Sequence, residues 1–366
     1  MSKKITNSQV GSLAYILILF NYLGTTSDSI IPLVKQDSWI SIILAFLIGI
    51  IPLFIFLKIM DYEPDLNIIE KNKVLFGKVF GNIINFVLAI FFFFSVIYSF
   101  WNLISFLGSQ YLHRTPPIFI GICTCICIIY LLSKDITVIL KTFFILFIIG
   151  LSLYVLGSFA LFNQISIENF RPILEFGIKN PIIGAFKNIS YNILPLFLIT
   201  LIPKNKIDKA HKLSKTIIKF YILCFLIMLF IVLVTIGIYG PNLSMLYQYS
   251  AFHLLKKISI LDFINRIEST ISIRWILYLI CFIVIGLYFV LNALKNTFNI
   301  KNKFINTILI IVLPLSSLYI SEYVFQNNVI KEIYAEDYLP FINLIFLFIV
   351  PLVILIYSKK KNKTTQ

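Results

Sequence analysis

Apolar residues run through this chain in long uninterrupted blocks, with the charged residues gathered between them. Ten uncharged runs of at least 16 residues occupy 5–27, 38–57, 79–113, 115–133, 142–167, 188–203, 220–255, 275–294, 304–321 and 338–358. A helix needs about 20 apolar residues to cross the hydrocarbon of a bilayer, so each run can hold one span. The two longest, 79–113 and 220–255, exceed one crossing and must include loop. The pattern predicts an all-α membrane protein with ten transmembrane helices in one integral membrane domain, 1–366.

Two of these runs are interrupted in the same way. The first contains Asn21-Tyr22-Leu23-Gly24-Thr25-Thr26-Ser27-Asp28-Ser29-Ile30-Ile31-Pro32; the sixth contains Asn188-Ile189-Ser190-Tyr191-Asn192-Ile193-Leu194-Pro195. Gly and Pro break helices, and unpaired backbone inside a bilayer is tolerated only where protein or a wet cavity receives it. Five spans precede the loop 163–180 and five follow it. An odd number per half inverts the second half against the first, which makes spans 1 and 6 equivalents. The expected fold is therefore a 5+5 inverted repeat, with repeat one at about 8–163 and repeat two at about 180–358. Interrupted helices 1 and 6 would then meet at a midplane binding site.

Span 3 adds a polar stripe at helical spacing, Ser95, Tyr98, Asn102 and Ser105, with Trp101 beside it. Such a face turns toward protein or a cavity and away from lipid. The binding candidates are Gly24, Thr25, Thr26, Ser27, Tyr98, Asn102, Ser190, Tyr191 and Asn192. The coupling or gating candidates are Asp28, Arg266 and Glu268. A charged preface, Asp262, Arg266, Glu268 and Arg274, precedes the apolar body of span 8 from Trp275. These charges belong either to the bundle, where they are functional, or to a solvated helix end. A segment with Leu243, Leu246, Tyr249, Phe252 and Leu255 on one face is expected to lie flat at the outer surface or to cap the bundle mouth. Leu66, Ile69, Val74 and Phe76 predict a short surface helix between spans 2 and 3.

Composition agrees. Hydrophobic residues make up 59% of 366 positions and charged residues 13%, about half the share that covers a water-facing surface. The formal charge of +15 is a topology signal. With the N-terminus in the cytoplasm, 21 of the 31 Lys and Arg fall on that side and seven on the other, the positive-inside bias. Both termini are then cytoplasmic, the natural partner is the lipid bilayer, and no nucleic acid is implied. Cys123, Cys125 and Cys127 point to different helix faces, and Cys224 and Cys281 lie in other spans; all five read as apolar fillers. No metal site, cofactor or catalytic constellation is expected.

Several short pieces carry a resemblance: Gln36-Asp37-Ser38-Trp39, Gly77-Lys78 with Gly81, Thr115-Pro116, Asn169-Phe170-Arg171-Pro172 with Gly177, and Arg266-Ile267-Glu268 with Trp275. In this order and spacing, across nearly the whole length, the chain resembles the B subunit of spore germinant receptors, the endospore germination permeases. These form a branch of the amino acid/polyamine/organocation transporter superfamily. The resemblance implies a LeuT-like bundle in the spore inner membrane, partnered by an A subunit and a C lipoprotein subunit. It also implies recognition of a small-molecule germinant, often an amino acid, at Gly24, Thr25 and Thr26 of span 1 and Ser190, Tyr191 and Asn192 of span 6. Spans 3 and 8 would complete the pocket. Leu112-His113-Arg114-Thr115-Pro116 lacks the first proline of the family's Leu-Pro-x-Thr-Pro. The second break lacks the Gly-Glu pair of many members, so no carboxylate role carries over to it. Three readings stay open: a receptor subunit, a proton-coupled amino acid permease using Asp28 or Glu268, and a membrane scaffold or ion conduit with a vestigial site.

Overall fold

The computed structural model describes residues 4–22, 27–158, 165–246, 249–250, 252–253, 268–325 and 328–364. Helix dominates throughout. α1 (Asn7–Leu19), α2 (Ser27–Val34), α3 (Ser38–Asp61), α4 (Ile68–Gln110), α5 (Pro117–Leu132) and α6 (Ile136–Ser158) make up the first half. α7 (Lys179–Asn192) continues as a 3₁₀ helix over Leu194–Leu201, followed by α8 (Leu213–Leu246), α9 (Glu268–Thr297) and α10 (Lys303–Val324). α11 (Asn328–Ile333), α12 (Leu339–Leu344) and α13 (Val350–Thr364) form the C-terminal part, joined by π-helical stretches at Tyr334–Tyr338 and Ile345–Ile349. Among the described residues, eight helical stretches are long and apolar enough to cross a membrane, and Asn7–Leu19 and Pro117–Leu132 are shorter apolar helices.

Helix ends follow their caps. Thr6 and Gln9 form a capping box at the start of α1, and Asn67 and Glu70 form another at the start of α4. Pro117 opens α5, where its missing N–H has no partner to lose. α1 is the centre of the bundle: every residue from Gln9 to Leu19 is buried. A helix apolar on all sides must be surrounded by protein or lipid, and here α6 and α8 pack against it while α9 lies along α4 and α6. Outer faces stay apolar, as at Leu47, Ile51 and Phe54 of α3 and Ile126 and Tyr130 of α5, which suits contact with acyl chains.

One expectation about the surface changes, and of two alternatives for another segment one is met. The segment expected as a surface helix before span 3 is the first part of α4, bent at Gly77 (φ 79°), and it tucks inward. Ile68, Ile69, Lys71 and Asn72 are buried. Lys71 Nζ donates to the carbonyls of Ile59 and Met60 at the end of α3. Asn72 Nδ2 donates to Asn85 Oδ1, and Asn85 Nδ2 donates to the Ile69 carbonyl. These bonds close the hairpin back on itself, which hydrophobic spacing alone did not reveal. On the other side, Tyr249 and Phe252 are buried against Phe106, and Tyr249 also meets Trp275, so this part caps the bundle; Leu243 and Leu246 remain exposed and Leu255 lies outside the described residues.

The motif pieces converge around the outer loop. Asp37, buried, accepts the Leu174 amide with both carboxylate oxygens at 3.0 Å. Gln36 Nε2 donates to the Pro172 carbonyl, and Asn169 Nδ2 donates to the Gly237 carbonyl. The loop is thereby clamped to the start of α3 and the end of α8.

Candidate functional site

The helix of span 1 stops at Leu19 and restarts at Ser27. Gly24, Thr25 and Thr26 lie outside the described residues; Ser27 and Asp28 open α2, and their side chains lie outside the description as well. The expected interruption of span 6 is also present, but shifted. Ser190, Tyr191 and Asn192 form the last turn of α7, and the change to 3₁₀ geometry falls at Ile193–Leu194. The cause is Pro195: it has no N–H to donate to the carbonyl four residues back, so the α-ladder cannot continue through it. These three residues are therefore helical, and the change of helix type falls directly after the polar cluster.

A narrow cavity of about 30 Å³ lies beside both interruptions. Phe20 and Asn21 line it from the end of α1, and Ser190, Tyr191, Leu194 and Pro195 from α7 and its 3₁₀ continuation. Phe91, Phe92, Ser95 and Tyr98 come from α4, Phe282 from α9, and Leu339 and Asn343 from α12. The polar stripe thus splits. Ser95 and Tyr98 reach the cavity, whereas Asn102, fully buried one turn beyond Tyr98, and Asn192, bonded to the Asn188 carbonyl, lie off its wall.

Among the described residues, the wall carries no charge. Phe20 stacks on Phe282 with ring centroids 3.8 Å apart and planes at 10°, closing one side with aromatic faces. Ser95 and Ser190 return their hydroxyls to the carbonyls of Phe91 and Lys187, leaving their lone pairs to face the space. Asn343 is 5% exposed, and its Oδ1 has no hydrogen-bond partner. It sits between the two π-helical stretches, an irregularity frequent at functional sites. Hydroxyls, amides and ring faces suit a small uncharged molecule or an ammonium group, since ring faces and the C-terminal ends of α1 and α7 attract positive charge.

Phe20, Asn21, Phe282 and Asn343 were not legible in the sequence as cavity residues. Their signal is weak: a phenylalanine in an apolar run reads as core, and Asn343 stands alone in span 10. The predicted gating residues are not brought together here. Arg266 lies outside the described residues, and Glu268 opens α9 with its side chain outside the description. Arg274, from the same charged preface, is 1% exposed and lies inside the bundle. Lys187 is half-buried before the second break.

The family model described as "Spore germination protein" matches residues 4–326. Spore germination protein A2 of Bacillus subtilis (strain 168) is 25% identical over 368 aligned residues, which cover 99% of this chain and 95% of that protein. Among solved structures, a Na+-coupled sialic acid symporter in a substrate-bound outward-open state superposes with a TM-score of 0.58 at 14% identity. That match covers 93% of this chain and 79% of the symporter, and it is a likeness of fold.

Proposed function

This chain belongs to the spore germination protein family, and on that premise we propose that it is the membrane subunit of a germinant receptor. It is an integral multi-pass membrane protein with a transporter-like fold, which points to transport or recognition ahead of enzymatic chemistry. In our reading the ten apolar runs form a LeuT-like 5+5 inverted repeat within one domain, with both termini cytoplasmic in the spore inner membrane. A small germinant, an amino acid in zwitterionic form, binds beside the two interrupted helices. Gly24, Thr25, Thr26 and Ser27 contact it from span 1, Ser190 and Tyr191 from span 6, and Tyr98 from span 3; Asn102 and Asn192 support that wall from behind. Binding shifts the bundle between states, and an A subunit and a C lipoprotein subunit carry the signal onward. Asp28, Arg266 and Glu268 gate the outer side.

The observation that supports this reading is the cavity itself, which draws its wall from both interrupted spans and from α4, α9 and α12 at once. Spores carrying Tyr191→Ala are expected to accumulate the protein in the membrane yet require at least a tenfold higher germinant concentration for dipicolinic acid release. An unchanged dose response at normal protein level would refute the site. The second reading, a proton-coupled amino acid permease, is favoured by the symporter-like fold. Proteoliposomes separate the two: accumulation of labelled amino acid driven by a pH gradient identifies a permease, and binding without accumulation identifies a receptor.

A further inference from the structure

A second site stands apart from the cavity wall, around Arg274. This residue is fully buried in α9, and its Nε and Nη1 have no hydrogen-bond partner. Its guanidinium carbon lies 4.7 Å from the centroid of the Tyr154 ring and 5.9 Å from that of Tyr278. Tyr15, central in α1, meets Tyr278 edge-on with centroids 5.9 Å apart. The hydroxyls of Tyr15 and Tyr278 are buried and face each other, and among the described residues no carbonyl or carboxylate accepts from either. A Cβ at Gly150 would come within 2.4 Å of the Tyr278 hydroxyl, so the glycine of α6 makes room for that group. Among the described residues, no carboxylate pairs with Arg274.

A guanidinium is a planar array of donors that carries its charge at any accessible pH. At membrane depth such a group persists when it has a functional partner, because two rings satisfy its faces but not its N–H edges. The guanidinium edges can only donate, and each phenolic hydroxyl, which can accept or donate, can turn its proton toward a guest. An assembly of donors around one fixed positive charge is the complement of an anion. Three tyrosine side chains crowd the space around the guanidinium, which favours a small guest. We propose that Arg274, Tyr15 and Tyr278 form a binding site for a small monovalent anion, either a free halide or the carboxylate of the germinant. The site joins the cavity along α9: Arg274, Tyr278 and Phe282 are spaced four residues apart on one helix face, and Phe282 lines the cavity. The carboxylate form of the proposal rests on the ligand reading above; the halide form does not.

The test uses the full chain, purified in nanodiscs, and follows thermal unfolding. Chloride is titrated against sulfate at constant ionic strength; separately, a mixture of amino acids is compared with the corresponding amino acid amides. A halide site gives a saturable rise in Tm with chloride that is abolished in Arg274→Met, retained in weaker form in Arg274→Lys, and untouched by Tyr191→Ala. A carboxylate site gives a rise with the amino acids and none with the amides, lost in both Arg274→Met and Tyr191→Ala. If neither series shifts the wild-type chain, or if a shift survives intact in Arg274→Met, the proposal is overturned. Should Arg274→Met fail to accumulate, ³⁵Cl line broadening by the wild-type chain decides: excess broadening over empty nanodiscs that collapses on adding formate supports the site, and no excess in a chain that also lacks an amino acid response refutes it.

Discussion

The indole Nε1 of Trp275 donates a hydrogen bond of 2.6 Å to the carbonyl oxygen of Phe20. Phe20 follows directly on the last helical residue of α1, so its carbonyl is among those that an interrupted helix leaves without an intrahelical donor. Both groups are buried, and α9 thereby supplies the partner that the chain break removed. Just beyond, the Tyr22 hydroxyl donates to the Met228 carbonyl of α8 at 2.9 Å, which ties this stretch to a second helix. The interruption is held between two neighbouring helices.

Replacing Trp275 with Phe keeps much of the ring packing and leaves the Phe20 carbonyl buried without its donor. The loss is expected to be about 1–3 kcal/mol, the penalty for an orphaned buried polar group. A lower unfolding temperature in nanodiscs is the expected result; a value equal to wild type would show that the bond contributes nothing.

Asn343→Leu separates stability from recognition. The variant removes a buried acceptor that has no partner, so stability is expected to hold or rise by about 1 kcal/mol. The response to germinant falls at the same time, because the cavity loses one of its few polar groups. Dipicolinic acid release and Tm measured on the same variant check both halves.

Gly184 of α7 has no room for a side chain. A Cβ there would lie 2.6 Å from Ser41 Oγ and 2.8 Å from a methyl of Val34. Gly184→Val is expected to push α7 off α2 and α3 and to destabilise by about 1–3 kcal/mol through overpacking. Gly108 provides the control, since no atom lies within 4 Å of its added Cβ. Gly108→Ala should leave the unfolding temperature unchanged or slightly raised, given the helix propensity of alanine.

Asp37→Ala removes the carboxylate that holds the Leu174 amide. Bonds to a charged acceptor contribute about 1.5–3 kcal/mol, and their loss frees the outer loop before it frees the bundle. Limited proteolysis from the outer side should then cut between 165 and 178 several-fold faster, while Asp37→Asn, which keeps an acceptor, falls in between. Equal cleavage of all three chains would dissociate the clamp from loop order.

Much of this architecture was legible before any coordinates. Lipid offers no hydrogen bonds, so apolar runs of about 20 residues are obliged to be helical, and the clusters at Asn21–Pro32 and Asn188–Pro195 mark where the helix must stop. Pro195 set the place of the second change, one or two residues after the polar cluster at 190–192. The inward tuck of Lys71 and Asn72 was not legible, because it depends on carbonyls and an amide that lie on other parts of the hairpin.

By itself, then, the order of residues determined the helical class, the apolar spans, the two interruptions and the presence of a polar face on α4. Tertiary structure alone decided that Tyr98 reaches the cavity while Asn102 lies behind it, that Asn343 and Phe282 join the same wall, and that Arg274 is enclosed by tyrosines. The physical reason is that spacing fixes which residues share a face of one helix. Which neighbour that face meets depends on how ten or so helices rotate and pack together, and that arises from contacts between residues distant in the chain.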